Sequence, residues 1–405
     1  MRRFSGLALL PFVSLIIPAV LLPVLARLTS ETEIAALGVG DSVGAMAALV
    51  VAFGWPLVGP ARVARTGARS ALVAYGESIA PRILLLLVLV PVGAVVAALL
   101  APPEQRLLAI LATVAGGVMG LSPAWFLIGR SDPGGLARYE TLPRAAAGLI
   151  SVALVAATGN AFWYPLSMLV LTLAFQVLHW IRSGAFAWLS RGSSWRRARR
   201  SLGAQTAPAL ALVSGGLYSA GTVVLVAIPA GAGVVAAYSL ADRLFKASLT
   251  AIVAAANAVQ GWVSEQDDHA TLAARARRAT LVLTIVGFVG AAGISLLGPW
   301  ATELLFAAKF RIDTPTAVAF GIAFLAVALS TALGRLVLVP FGRIAFVTVS
   351  TVVGAVFGVV AIIAGTALWG VFGAAAGFAA SEVVVTAVQA VGVLRLRSSL
   401  RSQAS

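Results

Sequence analysis

From Tyr238 to Ser264 the sequence reads YSLADRLFKASLTAIVAAANAVQGWVS, and Ser239, Asp242, Arg243, Lys246, Thr250, Asn257, Gln260 and Ser264 recur in it at steps of mostly three or four residues. Such spacing puts them on one stripe of a helix. Each Asp, Arg or Lys at the centre of a bilayer costs about 2.5–3.5 kcal/mol, so three together must pair or face a wet cavity. Asp242 and Lys246 are one helical turn apart and can pair along it. Arg243 is then left over, and its guanidinium suits bidentate contact with a phosphate or carboxylate. A packing role is the alternative, with Glu382 on another helix as its counter-ion. Arg335 lies near the inner end of a further apolar segment, where it either lines the same cavity or snorkels to the interface. The candidate substrate-binding or translocation cavity is therefore Asp242, Arg243, Lys246, Asn257, Arg335 and Glu382, with no catalytic and no metal-binding residue.

The elements that hold these residues belong in a membrane. The 405 residues are 60% hydrophobic and 11% charged, whereas soluble domains carry about 25% charged residues. A helix crossing the hydrocarbon core needs about 20 mainly apolar residues. Such segments fall near 5–27, 38–60, 82–102, 107–128, 143–158 and 161–181, and again near 206–229, 232–263, 280–300, 317–340, 344–367 and 370–393. The predicted fold is all-α and integral to the membrane, with about 12 transmembrane helices in two six-helix lobes, 1–190 and 206–405, joined by a basic cytoplasmic linker at 191–205. Met1-Arg2-Arg3 begins the first helix, whose apolar run is too long for a signal peptide, so it is read as uncleaved. Pro11, Pro18 and Pro23 kink that helix. Asp41, beside Gly38 and Gly40, is read as an outer-interface or capping residue of the second.

Charge sets the orientation. With the N-terminus in the cytoplasm, 22 of the 29 Lys and Arg fall on the inner side, among them Arg62 to Arg82 and Arg182 to Arg200, and only Arg27, Arg106, Lys309 and Arg311 fall outside. The positive-inside rule then requires an even number of crossings and cytoplasmic termini. If the halves are structural repeats, they are parallel ones. The longest outer connection, about 299–316, has no room for a domain. The net charge of +15 thus records orientation, and no nucleic acid is expected as a partner.

Several chemistries are excluded. There is no cysteine, hence no disulfide, thiolate metal site or cysteine nucleophile. His179 and His269 are 90 residues apart and read as interfacial or loop residues. There is no phosphate-binding loop and there are only two lysines, so ATP is not hydrolysed. No cofactor is expected. An integral-membrane glycosyltransferase would place a catalytic acid in an outer loop, and Glu31 and Glu33 in the first such loop can be so read, but such enzymes normally add large extracytoplasmic loops or domains. A scaffold without transport would have no need for buried charge.

Three stretches carry a family resemblance. PFVSLIIPAVLLPVLARL followed by FGWPLVGPARVAR, then SPAWFLIGR from Ser122 to Arg130, then the Tyr238–Ser264 helix, resemble the Wzx-type polysaccharide (O-antigen) flippases of the multidrug/oligosaccharidyl-lipid/polysaccharide (MOP) exporter superfamily. Ile128 stands where a glutamine is common, Asp242-Arg243 replaces a glutamate-lysine pair, and Gly261-Trp262 departs from a common proline. The resemblance implies a V-shaped MATE-type transporter around a cationic cavity. It implies that the chain moves a polyprenyl-pyrophosphate-linked oligosaccharide across a bacterial cytoplasmic membrane, among membrane lipids and alongside a polysaccharide polymerase and glycosyltransferases. An ion-coupled exporter of small cationic molecules is the alternative, and it would be expected to have an acidic cavity.

Overall fold

The computed structural model describes residues 23–185, 216–264, 269–306 and 310–404, with isolated positions between 203 and 213. Pro11, Pro18 and most of the 191–205 linker lie outside the described residues. No strand occurs among the described residues, and eight of their helices are long and apolar enough to cross a membrane.

Helix α1, Glu31–Ala52, begins earlier than the predicted 38 because Ser30 caps it. The Ser30 hydroxyl accepts from the Glu33 N–H at 3.2 Å, and the Glu33 carboxylate accepts from the Ser30 N–H at 2.7 Å. This capping box uses Glu33 and puts Glu31 in the same first turn, where the helix dipole favours negative charge. Asp41 consequently sits inside the helix, neither a cap nor at its start. Phe53 (φ 44°) and Gly54 (φ 74°), both left-handed, end α1, and α2 follows as Trp55–Ala64, so the predicted 38–60 segment is two helices.

Helix α3, Ala68–Leu100, starts well before the predicted 82 and at 33 residues is about 50 Å long, more than a bilayer core requires. Arg82 therefore lies inside a helix rather than in the loop where the charge count placed it. Helix α4, Arg106–Val118, tightens into a 3-10 turn, Met119–Leu121, and α5 is Ala124–Gly129. Next come a short helix, Pro133–Leu136, a π-helical turn, Ala137–Thr141, then α6, Leu142–Thr158, and α7, Trp163–Arg182. Residues 216–220 are helical, and α8 is Thr222–Ala227. The chain then continues as α9, Ala232–Ser264, α10, His269–Phe306, and α11, Thr314–Thr331, which passes into a π-helical turn, Ala332–Leu338. The connection predicted at 299–316 is thus shorter, because α10 runs on to Phe306. Last is α12, Ile344–Ala404, broken at Trp369 and Gly370.

That break makes a helical hairpin. Gly370 has φ 57° and ψ −131°, a conformation reserved essentially for glycine. Beyond it the two arms touch through small residues: a Cβ on Gly373 would run into the Gly365 carbonyl oxygen, and one on Gly377 would lie 2.5 Å from that of Ala361. Lipid tails are as apolar as leucine, so membrane helices associate by such close backbone contact.

Two compact units divide the chain at Ala227 and Ile228. In the first, α1 packs on α4, where Gly44 and Gly116 meet backbone to backbone and the Thr113 hydroxyl donates to the Ala109 and Gly40 carbonyls at 2.9 and 3.3 Å. Residues 216–227 belong to this unit, since the Ser42 hydroxyl donates to the Ala220 carbonyl at 2.5 Å. In the second unit α10 packs on α11, and the second arm of α12 meets both α11, where the Thr386 hydroxyl donates to the Ala326 carbonyl at 2.9 Å, and α9, through Phe378.

With no native thiol, a single introduced cysteine reports its side of the membrane cleanly. Glu104→Cys, in the turn between α3 and α4, is expected to react with an impermeant maleimide on intact cells, and Arg343→Cys, between α11 and α12, only after the inner face is opened. The reverse pattern would invert the predicted topology.

Candidate functional site

Helix α9 is built in two faces. Tyr238 and Phe245 on one side pack on Phe320 of α11 at ring separations of 5.9 and 5.3 Å, and Phe245 also meets Phe378 of α12 at 5.5 Å. The polar stripe runs alongside that face, with Asp242 one turn after Tyr238 and three residues before Phe245. Asp242 is 2% exposed and pairs with the Lys246 ammonium at 2.6 Å, as the one-turn spacing predicts. Arg243 is half-buried beside them. This stripe explains why α9, long enough at 33 residues, is not among the eight helices apolar enough to cross a membrane.

Glu382 lies one turn beyond Phe378 on α12, half-buried. It does not form the expected ion pair with Arg243; among the described residues its carboxylate has no hydrogen-bonding or ionic partner.

Arg335 does not snorkel away from the protein. It belongs to the π-helical turn after α11, and its Nη2 donates to Gln260 Oε1 at 2.6 Å and Asn257 Oδ1 at 3.0 Å, both on α9. The structure thus sorts the six candidates into an Asp242–Lys246 pair with Arg243 alongside, an Arg335–Asn257 cluster joined by Gln260, and Glu382 by itself. From Lys246 to Asn257 is about 16 Å along the helix axis.

A second polar cluster, in the first unit, has no counterpart among the sequence-predicted site residues. Arg82 is 1% exposed and spends its guanidinium on oxygens: Nε donates to the Ser78 carbonyl at 3.1 Å, Nη2 to the Ser78 hydroxyl at 3.0 Å, and Nη1 to the Ser122 and Gly120 carbonyls at 3.1 and 3.4 Å. The Ser122 hydroxyl donates to Glu140, which also pairs with Arg144 at 2.5 Å. Close by, His179 is buried in α7 and shares a 2.9 Å hydrogen bond with the Tyr75 hydroxyl, with the Tyr139 and Phe126 rings packed against it. It is therefore a core residue rather than an interfacial one. His269 opens α10. Trp55 and Trp125 stack at 4.9 Å over the same core. This cluster ties the 3-10 turn after α4 to α3 and to the π-helical turn before α6. The motif stretches FGWPLVGPARVAR and SPAWFLIGR meet in it. No group of three or more potential metal ligands occurs among the described residues.

Two stability measurements follow. Lys246→Met leaves the buried Asp242 carboxylate without its counter-ion, so it should destabilise the purified protein more than the double variant Asp242→Asn/Lys246→Met does; equal losses would mean the pair is not coupled. Arg82→Leu strips the Gly120 and Ser122 carbonyls of their donor and should cost at least about 3 kcal/mol, read as a lowered thermal midpoint in detergent. A midpoint within experimental error of wild type would mean the network holds nothing together.

Neither a protein-family model nor a curated protein matches the sequence. Solved structures do. An inward-facing MATE-family multidrug resistance transporter of the MOP superfamily aligns with a TM-score of 0.68 at 15% identity, covering 97% of this chain and 100% of that one. The lipid II flippase MurJ, in an inward closed conformation, aligns at 0.76 and 10% identity over 95% of this chain and 87% of that one. A MOP-superfamily transporter from Pyrococcus furiosus Vc1 aligns at 0.51 and 15% identity over 98% and 93%. At such identities what is shared is the fold, and it is the multi-span membrane fold of MOP-superfamily transporters.

Proposed function

We propose that this protein is a flippase that carries a polyprenyl-pyrophosphate-linked oligosaccharide from the inner to the outer leaflet of a bacterial cytoplasmic membrane. The observation that carries the reading is the charge left over on the second unit's polar surface. Lys246 is cancelled by Asp242, whereas the partners of Arg335 are neutral amides, so its charge survives within a transmembrane bundle. A membrane protein keeps such a charge at a cost of a few kcal/mol, and an anionic headgroup travelling with its tail in the lipid is a ligand that repays it. MurJ is a flippase of lipid II, a precedent for a lipid-linked cargo on this architecture. Arg243, on the same face of α9, is assigned to the headgroup path.

The second reading, an ion-coupled exporter of small cations, is favoured by the unpartnered Glu382 carboxylate and by the multidrug transporters among the structural neighbours. One experiment separates the two. A deletion strain is expected to lose surface polysaccharide, to trap its lipid-linked precursor at the cytoplasmic face, and to be rescued by wild type but not by Arg243→Ala at equal expression. Normal polysaccharide without trapped precursor, together with sensitivity to cationic drugs, would replace the flippase with the exporter. Rescue by Arg243→Ala would remove Arg243 from the path.

A further inference from the structure

We propose that Arg335, Asn257 and Gln260 form a clamp for a phosphate or pyrophosphate group, placed at the end of the second unit that the charge asymmetry assigns to the cytoplasm. The proposal rests on the flippase reading for the identity of its lipid, but the site stands on its own chemistry. A guanidinium has donors and no acceptor, and a carboxamide has one acceptor oxygen and an NH2 with two donors. Because Arg335 Nη2 donates to both Oδ1 of Asn257 and Oε1 of Gln260, both amides are held with their oxygens inward, and their NH2 groups are turned away from the arginine. Among the described residues these NH2 groups, and Nη1 and Nε of Arg335, donate to nothing. Both amide oxygens are thus engaged by the arginine, and what the cluster leaves unengaged among the described residues is chiefly N–H donors around a full positive charge. Its natural complement is a multidentate oxyanion.

The scaffold beneath it is rigid and the approach to it is open. Ala256 and Val263 of α9, Leu272 and Ala276 of α10, and Ala332 and Leu336 of the π-helical turn share one buried apolar core, so the polar side chains stand on a packed floor. Asn257 is exposed, and Arg335 and Gln260 are half-exposed. The π-helical turn contributes directly: the Val339 N–H reaches back five residues to the Gly334 carbonyl at 2.9 Å, and the Arg343 N–H likewise to Leu338 at 2.8 Å. Such turns insert a residue into a helix and re-aim its side chains, and they recur at functional sites. Here the re-aimed residue is Arg335. In the same turns α10 carries Arg275, Arg277 and Arg278, which raise the positive potential around the clamp. Along α9 Asp242 is about 22 Å away by helical rise and already paired, and the acids Glu265, Asp267 and Asp268 that follow the helix in sequence lie outside the described residues. A lipid phosphate at the inner leaflet would meet this clamp before the Arg243 level of the same helix.

The test uses the full chain in phosphatidylcholine nanodiscs and calorimetric titration with farnesyl pyrophosphate, inorganic pyrophosphate and farnesol. Wild type is expected to bind farnesyl pyrophosphate and not farnesol. Asn257→Asp replaces the amide by a carboxylate that keeps the bond to Arg335, so the helices stay tied while the clamp loses donors and charge; binding should weaken at least about tenfold. Gln260→Glu should do the same, and Arg335→Lys should fall between. Inorganic pyrophosphate binding as tightly as the farnesyl ester would support the clamp with a free anion as its ligand, and weaker binding would support a lipid headgroup. Unchanged affinity in Asn257→Asp and Gln260→Glu, or farnesol binding as well as its pyrophosphate, would overturn the proposal. A clamp that responds as expected in a protein whose deletion leaves surface polysaccharide normal would keep the site and sink the flippase.

Discussion

Hydrocarbon offers a polar atom no partner, so the charged and hydrogen-bonding groups that this chain takes into its transmembrane bundle depend on partners from within the protein or from a ligand. The answer differs between the two units. In the first, Arg82 is surrounded by carbonyl and hydroxyl oxygens from α3 and the turn after α4, and four of its five N–H donors are engaged. Such an arrangement is closed and holds helices in register. In the second, Arg335 is answered on one edge only, by two amides that themselves keep donors in reserve. Closed networks build a scaffold; open ones leave something for a ligand to finish.

The glycines and prolines serve the same constraint. Helices in lipid gain little from burying apolar side chains against each other, so contact has to come from backbones brought close together. The Gly44–Gly116 contact of α1 and α4 and the Gly365–Gly373 contact of the α12 hairpin provide it. Large side chains such as Leu87, Leu99 and Val289 point outward in numbers that a soluble protein would not tolerate, since lipid is their proper solvent.

Much of this architecture is legible from the chain alone, because about 20 apolar residues in a row have one plausible use. The described residues follow the predicted segments from 82 onward with shifted ends, and the Asp242–Lys246 pair is readable since one turn of helix fixes its geometry in advance. What is hidden is whatever depends on partners far away in sequence. Arg82 stands at the edge of an apolar run and reads as a loop cation; its partners at Gly120 and Ser122 are backbone carbonyls, which leave no trace in residue type. Arg335 meets Asn257 and Gln260 across more than seventy residues, and no local pattern announces the π-helical turn that aims it. Asp41 reads as a helix start because the cap that actually starts its helix, Ser30, lies eleven residues upstream, outside the apolar window.

The polar face of α9 also bears on how the protein is made. Insertion into the bilayer during synthesis favours segments by their hydropathy, one after another, and α9 is the long helix that fails that criterion by itself. Its Asp242–Lys246 pair can form as soon as the helix does, but the amides of Asn257 and Gln260 wait for Arg335, which is synthesised more than seventy residues later. Assembly of the second unit is therefore cooperative: α9 depends on helices made after it, through Arg335, to answer the polar groups it carries.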